Sequence, residues 1–336
     1  MKQFFKFMFA SMLGTFLLIL LITFISIGIV AAIVATASNE ETVVTENTLL
    51  HARFNKEIAD RGSNMKITMG FAGPEKTAGL NEILENIDKA KRDDKIKGIY
   101  LDLSEMPAGI ATVEEIREAL VDFKKSGKFI WAYSETYSQK TYYLATAADK
   151  IYLNPEGWVE FKGLATEMMF LKGTLEKLDI KMQVIRHGKF KAATEPLFLE
   201  KMSEENREQI TSLLADVWDR VLTAISESRK IDRETLNRIA DSLKLETSAD
   251  ALRYKFVDQL VYKDELTALM KKELKLEEKG KIKFVSMDDY SSAKDPRKPS
   301  TSSDKIAVVY ASGSIGGGEG DDQSIGSERI SSESSA

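Results

Sequence analysis

The chain has 336 residues, 43% apolar and 29% charged, enough apolar material for one large folded body with additions rather than a small stapled domain. Its net charge of -5 comes from interleaved acidic and basic side chains, which argues against a broad basic surface for nucleic acid. Cysteine is absent and histidine occurs only at His51 and His187, so disulfides, thiolate metal sites and Cys/His catalysis are excluded, and a Ser/His/Asp arrangement has few possible members.

From Phe7 to Asn39 no residue carries a charge. The apolar centre, Phe16 to Val30, can span a hydrocarbon core of roughly 30 Å, whereas the h-region of a cleaved signal peptide runs only about 7–15 residues. A membrane anchor over residues 7–38 is therefore predicted, although Ala35-Thr-Ala37 has the look of a cleavage site. Lys2 and Lys6 precede the span and Glu40 and Glu41 follow it, which puts the tail 1–6 in the cytoplasm and the body outside it.

Beyond the anchor, short apolar runs alternate with helical periodicity. Thr48 to Phe54 reads as a strand, Gly79 to Ile87 as a helix, and Lys97 to Leu103 as a buried strand of a parallel sheet. Thr112-Val-Glu-Glu115 has the spacing of a capping box, predicting a helix whose stripe is Ile116, Ala119, Leu120 and Phe123 and whose end is marked by Gly127. Strands at Phe129–Tyr133, Lys150–Asn154 and Lys181–Arg186, with helices near 138–147 and 167–178 between them, complete an α/β pattern.

After Pro196 the chain turns helical. Ser203 is predicted to cap a helix whose Ile210, Leu213, Leu214, Val217, Val221, Leu222 and Ile225 recur at helical spacing, with Trp218 beside them, a stripe for core or subunit packing rather than a cofactor. Helices at Asp232–Leu243 and Ser248–Tyr254 lead to the run Lys255–Leu260, and Lys263–Leu276 reads as a charged, exposed helix. Residues 286–304, rich in Ser, Asp, Lys and Pro, read as a linker, and Lys305–Ile315 as a β-run resembling a restart of the first strand. A single strand has no sheet to join, so the tail 305–336 is expected to be the start of a second unit.

Candidate chemistry concentrates in Arg186-His-Gly-Lys-Phe-Lys-Ala-Ala-Thr-Glu-Pro-Leu-Phe198. An amine accepts a proton only when neutral, and bringing its pKa from about 10.4 to near 7 takes about 4 kcal/mol of burial away from counter-charge. Ala192 and Ala193 permit close packing around Lys191, and Gly188, Phe190 and Pro196 suit a backbone turning out of a strand; Lys189 is an alternative that spacing does not exclude. On composition alone, a lysine is usually a solvated surface residue. Gly316-Gly-Gly-Glu-Gly320 lacks P-loop and dinucleotide spacing, and His51 and His187 have no ligand-spaced partners, so no metal or organic cofactor is expected.

The anchor, Tyr137-Ser-Gln-Lys-Thr-Tyr-Tyr-Leu-Ala145, Lys150-Ile-Tyr-Leu-Asn-Pro155, Gly163-Leu-Ala-Thr166, Gly188-Lys-Phe-Lys-Ala-Ala-Thr-Glu-Pro196 and Lys305-Ile-Ala-Val-Val309 together resemble the long form of signal peptide peptidase A, or protease IV. The resemblance implies an α/β, ClpP/crotonase-like fold in two tandem repeats: here a first repeat over 44–285, a linker over 286–304 and the start of a second repeat over 305–336. It also implies a serine/lysine-dyad endopeptidase without cofactor, in which Lys191 is the general base and deprotonates a serine of the second repeat. Implied partners are residual signal peptides or other peptides as substrates, membrane lipid around the N-terminal helix, and further copies of the chain in a tetramer. The implied location is the bacterial inner membrane, single-pass, with the body periplasmic.

The family's serine lies in a Ser-Gly-Gly-Tyr segment without counterpart in these residues, so a truncated chain without its nucleophile is expected. Setting Tyr142-Tyr-Leu-Ala-Thr-Ala-Ala148 against the second repeat of the family puts Gln139 at the nucleophile position, with Ser138 one residue off. Met106-Pro-Ala-Gly109 stands where an oxyanion hole would need glycine N–H groups, and Pro107 has none to donate. The rival expectation is an inactive membrane-anchored subunit that assembles with complete peptidases through residues 203–228. A CoA-dependent crotonase fits less well, given the anchor and the missing oxyanion glycines.

Overall fold

The computed structural model describes residues 2–37, 42–62, 79–297, 308, 311, 313–321 and 324–333. Helix α1 (Lys2–Ala37) contains the run Gln3–Gly28, 26 residues with a mean hydropathy of 2.4 and no burial against the body, long and apolar enough to cross a membrane. At 1.5 Å per residue that run reaches roughly 39 Å, more than the hydrocarbon core requires.

The body is built on six parallel strands: β1 (Thr48–Ala52), β2 (Ile96–Asp102), β3 (Phe129–Tyr137), β4 (Lys150–Val159), β5 (Gln259–Leu260) and β6 (Lys283–Ser286). Their order across the sheet is β5-β4-β3-β2-β1-β6. Helices α2 (Leu80–Arg92), α3 (Ile110–Phe123) and α4 (Gln139–Ala145) connect the first four strands. Alternate residues point to opposite faces. Leu50, Ile99, Leu101, Ile130, Ala132, Ile151 and Leu153 pack in the main core with Ile83, Ile87, Val113, Ile116 and Leu120 of the connecting helices. Leu49, Tyr100, Trp131, Tyr133 and Tyr152 form the other face. Both faces being covered explains why these strands read as continuous apolar runs.

Beyond β4 follow α5 (Lys172–Lys177), α6 (Glu195–Phe198), α7 (Glu204–Arg229), α8 (Arg233–Asp241), α9 (Ser248–Arg253), α10 (Lys263–Glu273) and α11 (Met287–Ser291). Predicted as exposed, α10 instead covers the aromatic face, because Leu266 and Met270, one turn apart, are buried there while its charges point outward. Helix α3 starts at Ile110 with Gly109 as its N-cap, so Thr112 lies inside the first turn and the predicted capping box does not form. The stripe is Val113, Ile116, Leu120 and Phe123; Gly127 closes the turn after it with φ +78°.

The packed body continues past residue 285, where a linker is predicted. Strand β6 pairs with β1 across 285, and Met287, Tyr290 and Ala293 are buried. Lys89 of α2, itself buried, donates its Nζ to the carbonyls of Tyr290 and Ala293 and so ties this segment down. Most of the β-run predicted at 305–315 lies outside the described residues. Its end, Ser314–Gly316, is β7, which pairs with β9 (Ser324–Gly326); β8 (Gly320–Asp321) completes this small sheet and α12 (Ser327–Glu333) follows it.

Residues 160–200 depart most from expectation. The helix predicted over 167–178 is limited to α5, and 181–186 form no strand: Ile185 is 95% exposed. In Ile180-Lys-Met-Gln-Val-Ile185 the apolar residues alternate as in a half-buried strand, but β5 already flanks β4, and the run pairs with no strand among the described residues.

Candidate active site

Lys191 lies in the loop between α5 and α6. The loop turns at Gly188, whose φ of +96° is in the left-handed region that glycine adopts without penalty. Lys191, Lys189 and His187 are all exposed, so among the described residues the small neighbours do not give Lys191 the burial expected of them. The backbone around it is nevertheless fixed. Arg186 Nη1 donates to the Lys191 carbonyl at 3.1 Å, and the Glu195 N–H donates to the Ala192 carbonyl at 2.9 Å.

Glu195 has no exposed surface. Its carboxylate accepts from Ser203 Oγ at 2.6 Å, the Ser203 N–H at 3.2 Å, Asn206 Nδ2 at 3.1 Å and Arg186 Nη1 at 3.4 Å. Burial alone would raise the pKa of this group, but the donors from Ser203, Asn206 and Arg186 outweigh it and hold it below the usual carboxylate value. Ser203 is the N-cap of α7, as its position before the apolar stripe predicted, and accepts from the Asn206 N–H. The carboxylate thus sits at the positive end of a 26-residue helix. Sequence reading passed over Glu195; the signal was there, a glutamate eight residues before an N-cap serine, but only folding brings the two together.

The residues set against a nucleophile position are otherwise occupied. Ser138 caps α4, its Oγ accepting from the Thr141 N–H at 3.2 Å. Gln139 clamps the chain after β4: Oε1 accepts from the N–H groups of Lys162 and Gly163 at 3.0 and 3.1 Å, and Nε2 donates to the Gly163 carbonyl at 3.0 Å. In the loop after β2, the Ala108 N–H donates to the Met106 carbonyl at 2.9 Å and Lys140 Nζ donates to the Ala108 carbonyl at 2.7 Å. Pro107 has no N–H and the Ala108 N–H is taken by Met106, so neither residue donates to a substrate carbonyl.

A second polar cluster closes the carboxyl ends of β1 and β2. Asp102 accepts from His51 Nε2 at 3.2 Å and Arg53 Nε at 2.8 Å, with Lys263 Nζ at 3.4 Å, and His51 stacks on Tyr100 at 5.1 Å between ring centroids. Burial opposes ionisation of Asp102, yet the hydrogen bonds from His51 and Arg53 and the charge of Lys263 hold its pKa well below the usual carboxylate range. His51 thus has a structural partner. A cavity of about 240 Å³ beside it is lined by Arg53, Ile58, Ile83 and Ser286, among others, and by no residue of the Lys191 loop. Among the described residues, no three His, Cys, Asp or Glu side chains are grouped to hold a metal ion.

Since a depressed folded-state pKa stabilises only while the group is ionised, the contribution of Asp102 is complete above about pH 4 and is lost as pH falls toward its folded pKa. Asp102→Asn is expected to cost about 2 kcal/mol near neutral pH. Thermal unfolding of both proteins at several pH values checks this: the gap in Tm narrows on acidification, and a gap that stays constant contradicts it.

Residues 122–277 match peptidase family S49. The chain is 33% identical over 239 residues to the chloroplastic serine protease SPPA of Arabidopsis thaliana, covering 70% of this chain and 35% of that protein. It is 33% identical to protease 4 of Salmonella typhi and 32% identical to protease 4 of Haemophilus influenzae, covering 76% and 74% of this chain and 42% of each relative. The chain thus spans less than half the length of these relatives.

Proposed function

We propose, because the chain carries a peptidase family S49 domain with an apolar N-terminal helix, that it is the base-bearing part of a membrane-anchored serine/lysine peptidase. Lys191 takes the proton of a serine contributed from outside residues 1–336, the serine attacks a peptide carbonyl, and the acyl-enzyme is released by water activated by the same amine. Two features support a nucleophile from outside this unit: Gln139, at the position set against the serine, is bonded to the chain after β4, and the Ala108 N–H after β2 is already bonded to Met106. The observation that carries this reading is the S49 match over residues 122–277, which include the tethered Lys191 loop.

The substrates are apolar peptides, foremost the signal-peptide remnants left in a bacterial inner membrane. Helix α1 crosses that membrane once, Lys2 and Lys6 on the cytoplasmic side and the body on the other. The Lys191 loop requires cover before its amine can act as a base, and the surroundings fit a covering surface. Met169, Leu178, Ile185 and Phe190 around the loop and Leu213 on α7 are 50–95% exposed, and the apolar stripe of α7 is buried only from Val221 onward. Further copies of the chain, up to a tetramer, or a serine-bearing unit would bury these residues. The same exposed residues favour a second reading, an inactive anchored subunit that only assembles with complete peptidases.

The two are separated by hydrolysis of an apolar peptide in lipid vesicles. The chain alone is expected to be inactive, and mixing it with a unit bearing the serine but lacking a base is expected to restore turnover. Robust turnover by the chain alone overturns the proposal, and no turnover in the mixture despite assembly favours the inactive subunit.

A further inference from the structure

The Lys191 loop needs an anchor, because a base that swings freely does not meet its proton at a fixed distance. Lys191 is exposed, and among the described residues no hydrogen bond or ion pair holds its side chain. The backbone is different. Arg186 makes a three-way junction: its Nη1 reaches the Lys191 carbonyl at 3.1 Å and Glu195 Oε1 at 3.4 Å, and its guanidinium lies 5.0 Å from the centroid of the Phe198 ring. Glu195 in turn is wholly buried and bonded to the first turn of α7 through Ser203 and Asn206.

We propose that Glu195 is a positioning residue for the base: through Arg186 it fixes the Lys191 backbone to the N-terminus of α7. This rests on the reading of Lys191 as the base. A carboxylate suits the position because every partner it meets is a donor: one backbone N–H, one hydroxyl, one amide and one guanidinium. Glutamine is isosteric but would turn its amide NH2 against those donors. The depressed pKa of Glu195 follows from the same four donors.

Two variants of the full chain test the proposal. Glu195→Gln removes the charge; Arg186→Gln, at a side chain 32% exposed, cuts the link to the loop while leaving the bonds of Glu195 to α7. In both, backbone amides of residues 188–195 are expected to exchange hydrogen at least about tenfold faster, with amides of β2 and β3 unchanged. In the mixture with a serine-bearing unit, kcat is expected to fall about 10–100-fold at unaltered KM, with Arg186→Lys recovering part of the loss.

Unchanged exchange at 188–195 in Arg186→Gln overturns the proposal, as does faster exchange of loop and sheet together, which would make the junction a general stabiliser. Should Glu195→Gln fail to fold, Arg186→Gln alone decides. A failure of the base reading looks different: Lys191→Ala would leave hydrolysis intact while loop exchange still responded to both variants.

Discussion

Lys191→Ala is expected to lower kcat for peptide hydrolysis by the serine-supplied assembly by about 10⁴-fold, with KM changed less than about twofold. The exposed amine contributes nothing to the fold, so the variant's Tm should equal the parent's within a degree or so. Lys189→Ala is the control that sequence spacing could not supply. It is exposed in the same loop but is not held by Arg186, and its loss is expected to change kcat less than about threefold. Steady-state rates of the parent and both variants on one apolar peptide check this, and equal losses from the two lysines would undo the assignment.

The largest effect on stability is expected at Tyr142. Its ring is fully buried, stacks on Phe256 at 5.1 Å and meets Tyr137 edge-on at 6.0 Å, and its hydroxyl donates to the Phe256 carbonyl at 2.8 Å. Phe256 continues the row to Phe161, and Phe161 to Trp218 on α7, so one aromatic chain joins α4, the segment after β4 and the long helix. Tyr142→Ala removes the ring, leaves a cavity and strands a buried carbonyl, an expected loss of about 3–5 kcal/mol. Tyr142→Phe keeps the ring and loses only the hydrogen bond, about 1 kcal/mol. Chemical denaturation of the three proteins measures both values. Similar losses for Ala and Phe would mean that the hydroxyl, not the packing, dominates.

The strands of the parallel sheet could be read from the sequence because burial on both faces leaves one signal, a short apolar run closed by glycine or a polar turn; Lys97–Leu103 was predicted within one residue of Ile96–Asp102. The Ser203 cap was readable for a similar reason, a local bond between a side chain and the backbone three residues on. Thr112 carried the same local pattern and failed, because Gly109 already offered an extended cap and a turn of helix before it. Local spacing names a helix and its buried stripe better than its first residue.

The exposure expected of α10 and the strand expected at 181–186 fail through context rather than pattern. Charged residues dominate α10, yet one buried pair suffices to seat it on the aromatic face. Residues 180–185 alternate as a strand should but pair with no strand among the described residues. Lys191 itself was singled out by its small neighbours and by resemblance. The carboxylate that fixes its loop was not, since a buried Glu195 bonded across the fold to Ser203 and Asn206 leaves no periodic trace.

The division of labour between a base on this chain and a serine from outside it is tested most directly by covalent labelling. The full chain, alone and mixed with a serine-bearing unit, is treated with a fluorophosphonate that reacts only with an activated serine, and the adduct is located by intact mass. The result expected is no adduct on residues 1–336, one adduct on the serine-bearing unit, and loss of that adduct when Lys191→Ala replaces the parent chain. An adduct on a serine of this chain itself, or labelling that persists without Lys191, would contradict it.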